Sequence, residues 1–536
     1  MKHLAPLALA LTLISGSSWS QSLQQKVFGL DTTAGDQFGI SASIQGNRAV
    51  LGAMSQGFTY ASRPGAAYVF ERSAGSWAET ARLSSPVPSN IEKFGSDVAV
   101  DGDRIVVGAY GSYLGGAAWT GAAYLFEKGP GGWAHTFTFL PADTAKDQLF
   151  GHDVDIQGDR VVIGAETDTN AAGYRAGAVY VFELVGGVWQ ETAKLISTTA
   201  GVNARLGVCL DLDGDRILAG APLATTPERA FLFEYNQGTW TETHGFLGTG
   251  PVPAIGFGQS VTLEGSTAVI GAYAEDVIGW HTGAAYVFEE DALGWTQTQR
   301  LLAADMQVGA HFGRRLALDG DVLAISGHRE NVPGAANAGR LHRFERDPAG
   351  WHELGTTIAA DAVAELSLGQ PIALSDGTLL AGAPMDSSIG VSLGLGNGTA
   401  YFTRFATLKT TPAELSLAVG GTATHALNLT AQHASELYIL FGSTTGIAPG
   451  VALGAVELPL AVDAFTSALL PLAGSSAAPG YLGLLDTTGQ ATAQLVVPPG
   501  TSPALVGLTL YHAGLTLDAL GNASAATNPT RIELLP

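Results

Sequence analysis

Short apolar runs rich in Val, Ile and Ala, each closed by glycine, recur from about residue 38 to about residue 405. The stretch 94–109 shows the unit: Phe94-Gly95, then Val98-Ala99-Val100, a tight Asp101-Gly102-Asp103 connection, Ile105-Val106-Val107, and Gly108-Ala109. Two β-branched runs around an Asp-Gly turn predict a β-hairpin with a type I′ turn. The opening Phe-Gly or Leu-Gly returns at Phe38, Phe94, Phe150, Leu206, Phe257, Phe312 and Leu368, in steps of 56, 56, 56, 51, 55 and 56 residues. No helical period interrupts the series.

Within each repeat some distances are fixed. From the opening Phe or Leu to the small residue ending the second strand (Gly52, Gly108, Gly164, Gly220, Gly271, Ser326, Gly382) is always 14 residues. From the third strand's Phe (Phe126, Phe182) to the Trp opening the fourth (Trp133, Trp189) is 7 in six repeats, and from that Trp to the next opening residue is 17. The length variation therefore falls in the connection between strands two and three. Four strands in a period this long predict a seven-bladed β-propeller, because each blade must bury the same apolar wedge against both neighbours. The repeated Phe, Tyr and Trp columns are expected in the core, and replacing Trp133 by Ala should cost about 3–5 kcal/mol.

The seventh repeat supplies three strands and stops after Arg404. A basic residue followed by Leu precedes the next opening residue at Arg82-Leu83, Lys194-Leu195 and Arg300-Leu301, and Lys26-Val27 stands at the same distance before Phe38. Residues 22–27 are thus expected to be the missing fourth strand of the last blade, closing the ring and covering an exposed edge. Ala406–Pro412 reads as a linker. Residues 413–536 alternate short strands with Gly and Pro, as in a small β-sandwich. The fold class is all-β: a propeller over 21–405, then the sandwich.

Residues 1–20 pair a basic start with an apolar run and small residues before Gln21, the pattern of a secretory signal peptide. No later stretch has the ~18 apolar residues of a membrane helix. The expectation is a secreted, extracellular or cell-surface monomer, with the periplasm as the alternative compartment. The 48 acidic and 26 basic residues leave a formal charge of −22, which argues against nucleic acid and anionic membrane as partners. The single cysteine, Cys209, excludes an intramolecular disulfide and is expected to be inert filler inside a strand.

The opening Phe-Gly and the Gly-Ala ending strand two, extended to Gly-Ala-Pro at Gly220-Ala221-Pro222 and Gly382-Ala383-Pro384, resemble the FG-GAP repeat. That repeat builds the seven-bladed propeller of integrin α subunits and of many secreted bacterial proteins. The resemblance implies calcium loops between strands one and two in several blades. Here those connections are shortened to tight turns such as Asp101-Gly102-Asp103 and Asp213-Gly214-Asp215, too small to supply the six to eight oxygens calcium takes. No cofactor is expected; Asp211, Asp213 and Asp215 come nearest to a metal set.

In an up-and-down blade the strand two-to-three loop and the connection to the next blade share one face. Tyr60, Tyr113, Trp119, Tyr174, Tyr273, Asp276, Trp280 and His281 fall there, aromatics interleaved with polar groups as suits recognition of an extracellular glycan or protein. No nucleophile elbow, zinc-protease pair or phosphate loop is present, and His152, His281, His311, His328 and His352 are single and scattered, so no catalytic residue is assigned. The alternatives are an enzyme acting on polysaccharide or lipid through channel-mouth carboxylates such as Asp276 or Glu166, and a structural envelope protein.

Overall fold

The computed structural model describes residues 20–22, 25–33, 35–54, 64–73, 75–114, 116–347, 349–386 and 397–404, and, beyond them, a set of strands with a few flanking residues between 407 and 535. The expected export signal lies outside them apart from Ser20, as does Tyr60. Every regular element among the described residues is a strand. The chain divides into two compact units, one of them Ser20–Arg404 and the other containing Phe405–Pro536.

The first unit is a seven-bladed propeller. Blade two is representative, with Val98–Asp101, Arg104–Ala109, Ala122–Gly129 and Gly132–Phe139 paired antiparallel in that order. The first strands of the other blades are Ala42–Gln45, Phe150–Gln157, Leu210–Asp213, Phe257–Glu264, Phe312–Asp319 and Ile372–Ser375. Each first strand touches the first strands of both neighbouring blades around the full circle, so these strands line the central channel. The apolar cores lie between blades: Phe139 of blade two packs with Phe150, Phe182 and Trp189 of blade three.

The repeat motif is the contact between blades. A Cβ on Gly108, at the end of strand two, would lie 2.2 Å from the carbonyl oxygen of Gly151, the glycine of the next blade's Phe-Gly. Gly382 makes the same approach to Gly39, which brings blade seven against blade one. Fixed spacing follows, since a one-residue slip would put side chains where two backbones touch.

Gln25–Val27 pairs antiparallel with Thr399–Arg404, the third strand of blade seven. Lys26 stands opposite Tyr401 just as Arg82, Lys194 and Arg300 stand opposite Tyr68, Tyr180 and Tyr286 in blades one, three and five. Ser22 does not belong to this strand, which corrects the reading of 22–27 as one element. Ser20–Ser22 instead pairs in parallel with the outer strand of blade six, Ser22 facing Ile358. An outer strand leaves a row of unpaired backbone groups, and Gly350–Ile358 is long enough to offer that edge to the incoming chain.

The basic column has a physical reason. Lys26 lies 2.8 Å from the buried Asp386, 2.6 Å from Asp361, and over the Tyr401 ring at 5.3 Å, while the Tyr401 hydroxyl donates to Asp361. Lys194 repeats this with Asp168, Asp143 and Tyr180. Arg300 pairs with buried Glu275, to which Tyr286 donates. In blade six His342 replaces the tyrosine and bridges Glu330 and Glu353, both at 2.7 Å.

The first hairpin turns differ from expectation. Only the leading residue has positive φ in Gly102-Asp103, Gly158-Asp159 and Gly214-Asp215 (+55°, +58° and +61° at the glycines), which is the type II′ pattern produced by glycine in the first position. Blade seven, with Asp376 at +50° and Gly377 at +68°, has the positive pair of type I′. The turn aspartates serve the neighbouring blade: Asp103, Asp159 and Asp215 accept from Arg48, Arg104 and Arg160, whose guanidinium groups lie over Trp133, Trp189 and Trp240.

Among its described residues, every regular element of the second unit is a strand. Thr407–Thr411, read as linker, is an edge strand of a three-stranded sheet, paired with Gly421–Asn428, which pairs in turn with Gln490–Val497. Its threonine-rich sequence suits an extended strand, and the long neighbour offers it a partner. Glu414–Ser416, Leu437–Ser443, Thr509–Leu517 and Thr530–Leu535 belong to a larger sheet. The rings of His425 and His512, from the two sheets, lie 4.6 Å apart.

Candidate functional site

Hydrogen bonds place the variable connections on one face. Asp147, Asn203 and Gly309, in the segments leading to the next blade, donate through their N–H groups to Ala118, Tyr174 and Trp280 in the strand two-to-three loops. Tyr174 and Trp280 occupy equivalent positions in blades three and five, each just before a residue in the left-handed region (Arg175 at +49°, His281 at +48°) that turns the chain back into its blade. Both residues are 58% exposed. Tyr113, 44% exposed, stands edge-on to Trp119 at 6.2 Å.

Of the sequence-predicted residues, Tyr273, Trp280 and His281 come together at the junction of blades five and six, whereas Tyr113 with Trp119 and Tyr174 stand separately in blades two and three. Asp276 is a loop brace, its Oδ1 accepting the His281 N–H at 2.7 Å. The Trp280 ring stacks on His281 at 4.1 Å and 13°, and the residue is 58% exposed. His281 is 5.2 Å from His311, and His311 is 5.2 Å from His328. Tyr273 sits 5.3 Å from His311, with the Arg314 guanidinium 4.9 Å from its ring centre.

The histidines dismissed as scattered thus form a group of three. His281 belongs to the blade-five loop, His311 immediately precedes the opening Phe312, and His328 follows the second strand of blade six. Burial, aided by the charges of Arg329 and Arg314, lowers His311 to about 4; burial with His311 and the same arginines lowers His328 to about 2. Burial and the neighbouring Arg315 bring Arg314 down to about 10. Both His311 and His328 are neutral at pH 7. Their positions in the repeat were legible as loop-face positions, but no spacing signals that loops of different blades converge there.

Other candidate groups are occupied in holding the ring. Glu166 lies 3.6 Å from His152 and 3.5 Å from Arg205, spanning blades three and four. Around the channel, Asp97, Asp153, Asp155 and Asp211 accept the backbone N–H of Val154, Leu210, Leu212 and Leu263 one blade on, at 2.7–3.0 Å. Burial raises all four, Asp97 to about 7 and Asp155 to about 8, with the Asp211 charge adding to the effect at Asp155. Cys209 takes the place of Ser41 and Ser260 in this inner layer, its thiol 3.4 Å from the Gly258 carbonyl oxygen as theirs bond Gly95 and Gly313. Asp211, Asp213 and Asp215 have separate partners in Leu263, Gly265 and Arg160. Among the described residues no group of three His, Cys, Asp or Glu is placed to hold a metal ion, and no helix is long and apolar enough to cross a membrane.

The FG-GAP repeat family matches residues 19–70, 77–126, 133–182, 251–288 and 295–343. The chain carries FG-GAP repeats, and they fold as a seven-bladed β-propeller. Four of the matched segments run from a fourth strand into the third strand of the next blade, the first of them taking in the closing strand Gln25–Val27, whereas 251–288 holds only the first three strands of blade five. No curated protein matches the chain. Solved structures similar to it include an acylaminoacyl peptidase in complex with Z-Gly-Gly-Phe-chloromethyl ketone, at 7% identity and a TM-score of 0.39, covering 74% of this chain and 58% of that one. The β-propeller domain of the Trilobed protease from Pyrococcus furiosus is similar at 7% identity and a TM-score of 0.37, covering 68% of this chain and 90% of that one. The Pyrococcus horikoshii acylaminoacyl peptidase is similar at 8% identity and a TM-score of 0.37, covering 74% and 58%. The chain spans a little over half the length of these two peptidases.

Proposed function

We propose that the protein is exported and binds an extracellular glycan or protein through the variable-loop face of its propeller, without catalysis and without a cofactor, the second unit serving as a sandwich-like attachment or spacer. The observation that carries this reading is the pair of half-open rings, Tyr174 and Trp280, held at equivalent loop positions on a rigid frame. A ring face fixed by backbone geometry loses little freedom on binding. The test is a glycan array and a cell-surface pull-down with the full chain and with a Tyr174→Ala/Trp280→Ala variant. Retention should depend on the rings; absence of any retained partner, or partners indifferent to the double substitution, overturns the reading.

A second reading, hydrolysis in the channel, draws on the raised Asp97, Asp153, Asp155 and Asp211. Their shared engagement with the next blade's backbone favours a structural role. Turnover of polysaccharide abolished by Asp155→Asn in a folded variant would reverse that preference.

A further inference from the structure

We infer that the junction of blades five and six is an anion site for an acidic saccharide, a sugar bearing a carboxylate, with Trp280 as its stacking platform and Arg314 and Arg329 as its charge. This deepens the proposed recognition role and rests on it.

Charge bookkeeping around the junction supports the inference. The protein as a whole is strongly acidic, yet the nearby acids are already engaged: Glu275 with Arg300 and Tyr286, Asp305 with Arg340, and Glu330 with His342. Asp276 accepts the His281 N–H but keeps its negative charge, which offsets one guanidinium group. Among the described residues neither Arg314 nor Arg329 forms an ion pair. Arg314 has only the Tyr273 ring as its partner, and Arg329 is exposed. The part-buried Arg314 and the exposed Arg329 outnumber Asp276 by one charge, a local positive excess that selects anions on an otherwise acidic protein.

A second, independent observation lies in the histidines. His281 Nδ1, His311 Nε2 and His328 Nδ1 are buried without a hydrogen-bond partner, and His311 and His328 are only 8% and 6% exposed. Unpaired buried nitrogens are costly, and such groups call for an occupant or a role. A saccharide offers both hydroxyls for the neutral imidazoles of His311 and His328 and a ring face for the exposed Trp280. Arg329, at the outer edge, reaches a carboxylate bidentately in a way a neutral sugar cannot use.

The experiment is titration calorimetry of the full chain with two probes, oligogalacturonate and oligomannuronate, and with the fully methyl-esterified form of the first. Acidic oligomers should bind about tenfold or more tightly than the ester. Arg329→Ala should shrink that difference severalfold, and Trp280→Ala should weaken binding of acid and ester alike. Equal binding of acid and ester, unaltered by Arg329→Ala, overturns the anion site and leaves glycan recognition standing. No binding of any oligomer overturns the site whatever partners the pull-down retains. Tighter binding of poly-glutamate than of either oligomer, or thermal stabilisation by zinc chloride that requires His311, also overturns it.

Discussion

Replacing Lys26 by Ala should open the propeller at its closing blade. The lysine is 23% exposed and its partner Asp386 is fully buried, so the substitution takes the Lys26 charge away from a buried carboxylate that also accepts from Thr399. Removing one partner of a buried pair costs about 3–5 kcal/mol, and the partial exposure of Lys26 places the expected loss near the lower end, about 3 kcal/mol. Lys194→Ala is the internal control, because Lys194 meets Asp168 and Asp143 in the same register but in a blade whose strands are contiguous in sequence. Urea unfolding followed by tryptophan fluorescence gives both losses, and hydrogen exchange shows where each acts. Lys26→Ala should expose amides of Thr399–Arg404 and of blade one, since Trp77 stacks on Phe402 at 4.2 Å across that junction. Lys194→Ala should leave them protected. A Lys26→Met/Asp386→Leu pair should recover much of the loss, no charge being stranded. Were Lys26→Ala to cost less than about 0.5 kcal/mol while Lys194→Ala costs several, the N-terminal strand would not be holding the ring, and the closure argument would be refuted.

Gly108→Ser should destabilise by about 1–3 kcal/mol, because the new Cβ meets the Gly151 carbonyl; thermal melting checks this, and Ser326, native at that position in blade six, shows that a junction built for the larger residue accepts it. His342 is raised to about 10 by Glu330 and Glu353 against its own burial, so it contributes stability that is complete below pH 6.5 and is lost as pH rises through 10. Urea midpoints of the native chain and of His342→Gln should therefore converge as pH rises from 7 to 10. Burial raises Asp155 to about 8, so the folded state holds a proton that the unfolded chain releases near pH 4, and stability falls as pH rises through that window. Asp155→Asn should flatten the decline between pH 4 and 8, and an unchanged slope in a folded variant would remove Asp155 as its source.

What could be read in the sequence was what the blade junctions enforce. The Phe-Gly and Gly-Ala spacing is visible because Gly108 and Gly151 belong to one contact, repeated until Gly382 reaches Gly39. The basic residues before Leu83, Leu195 and Leu301 were legible as a column, and so Lys26 could be placed; their tyrosine and carboxylate partners required coordinates. The offset of Ser20–Ser22 to blade six was illegible, since any outer edge would accept so short a strand. Thr407–Thr411 passed for a linker because a polar strand on a sheet edge has no alternation to announce it. The meeting of His281, His311 and His328 had no signal at all, being set by how loops of adjacent blades fold over one another.

The same frame explains why one junction differs from the rest. At the loop face acids are consumed as latches in blade after blade, Asp386 by Lys26, Asp168 by Lys194, Glu275 by Arg300, Glu330 by His342 and Arg340. A surface plentiful in carboxylates is thereby locally neutralised, and its specificity is decided by whatever side chains the latches leave over. At blades three and four the remainder cancels, because Arg205 and His152 converge on Glu166. At blades five and six Tyr273 stands where Glu166 does, with Arg314 against its ring; His311 and His328 are uncharged, and Asp276 offsets only one of Arg314 and Arg329. The fold's stabilising chemistry, repeated with small substitutions, thus leaves positive charge at one seam of an acidic ring, and an anionic ligand there is drawn by local imbalance against the field of the whole molecule.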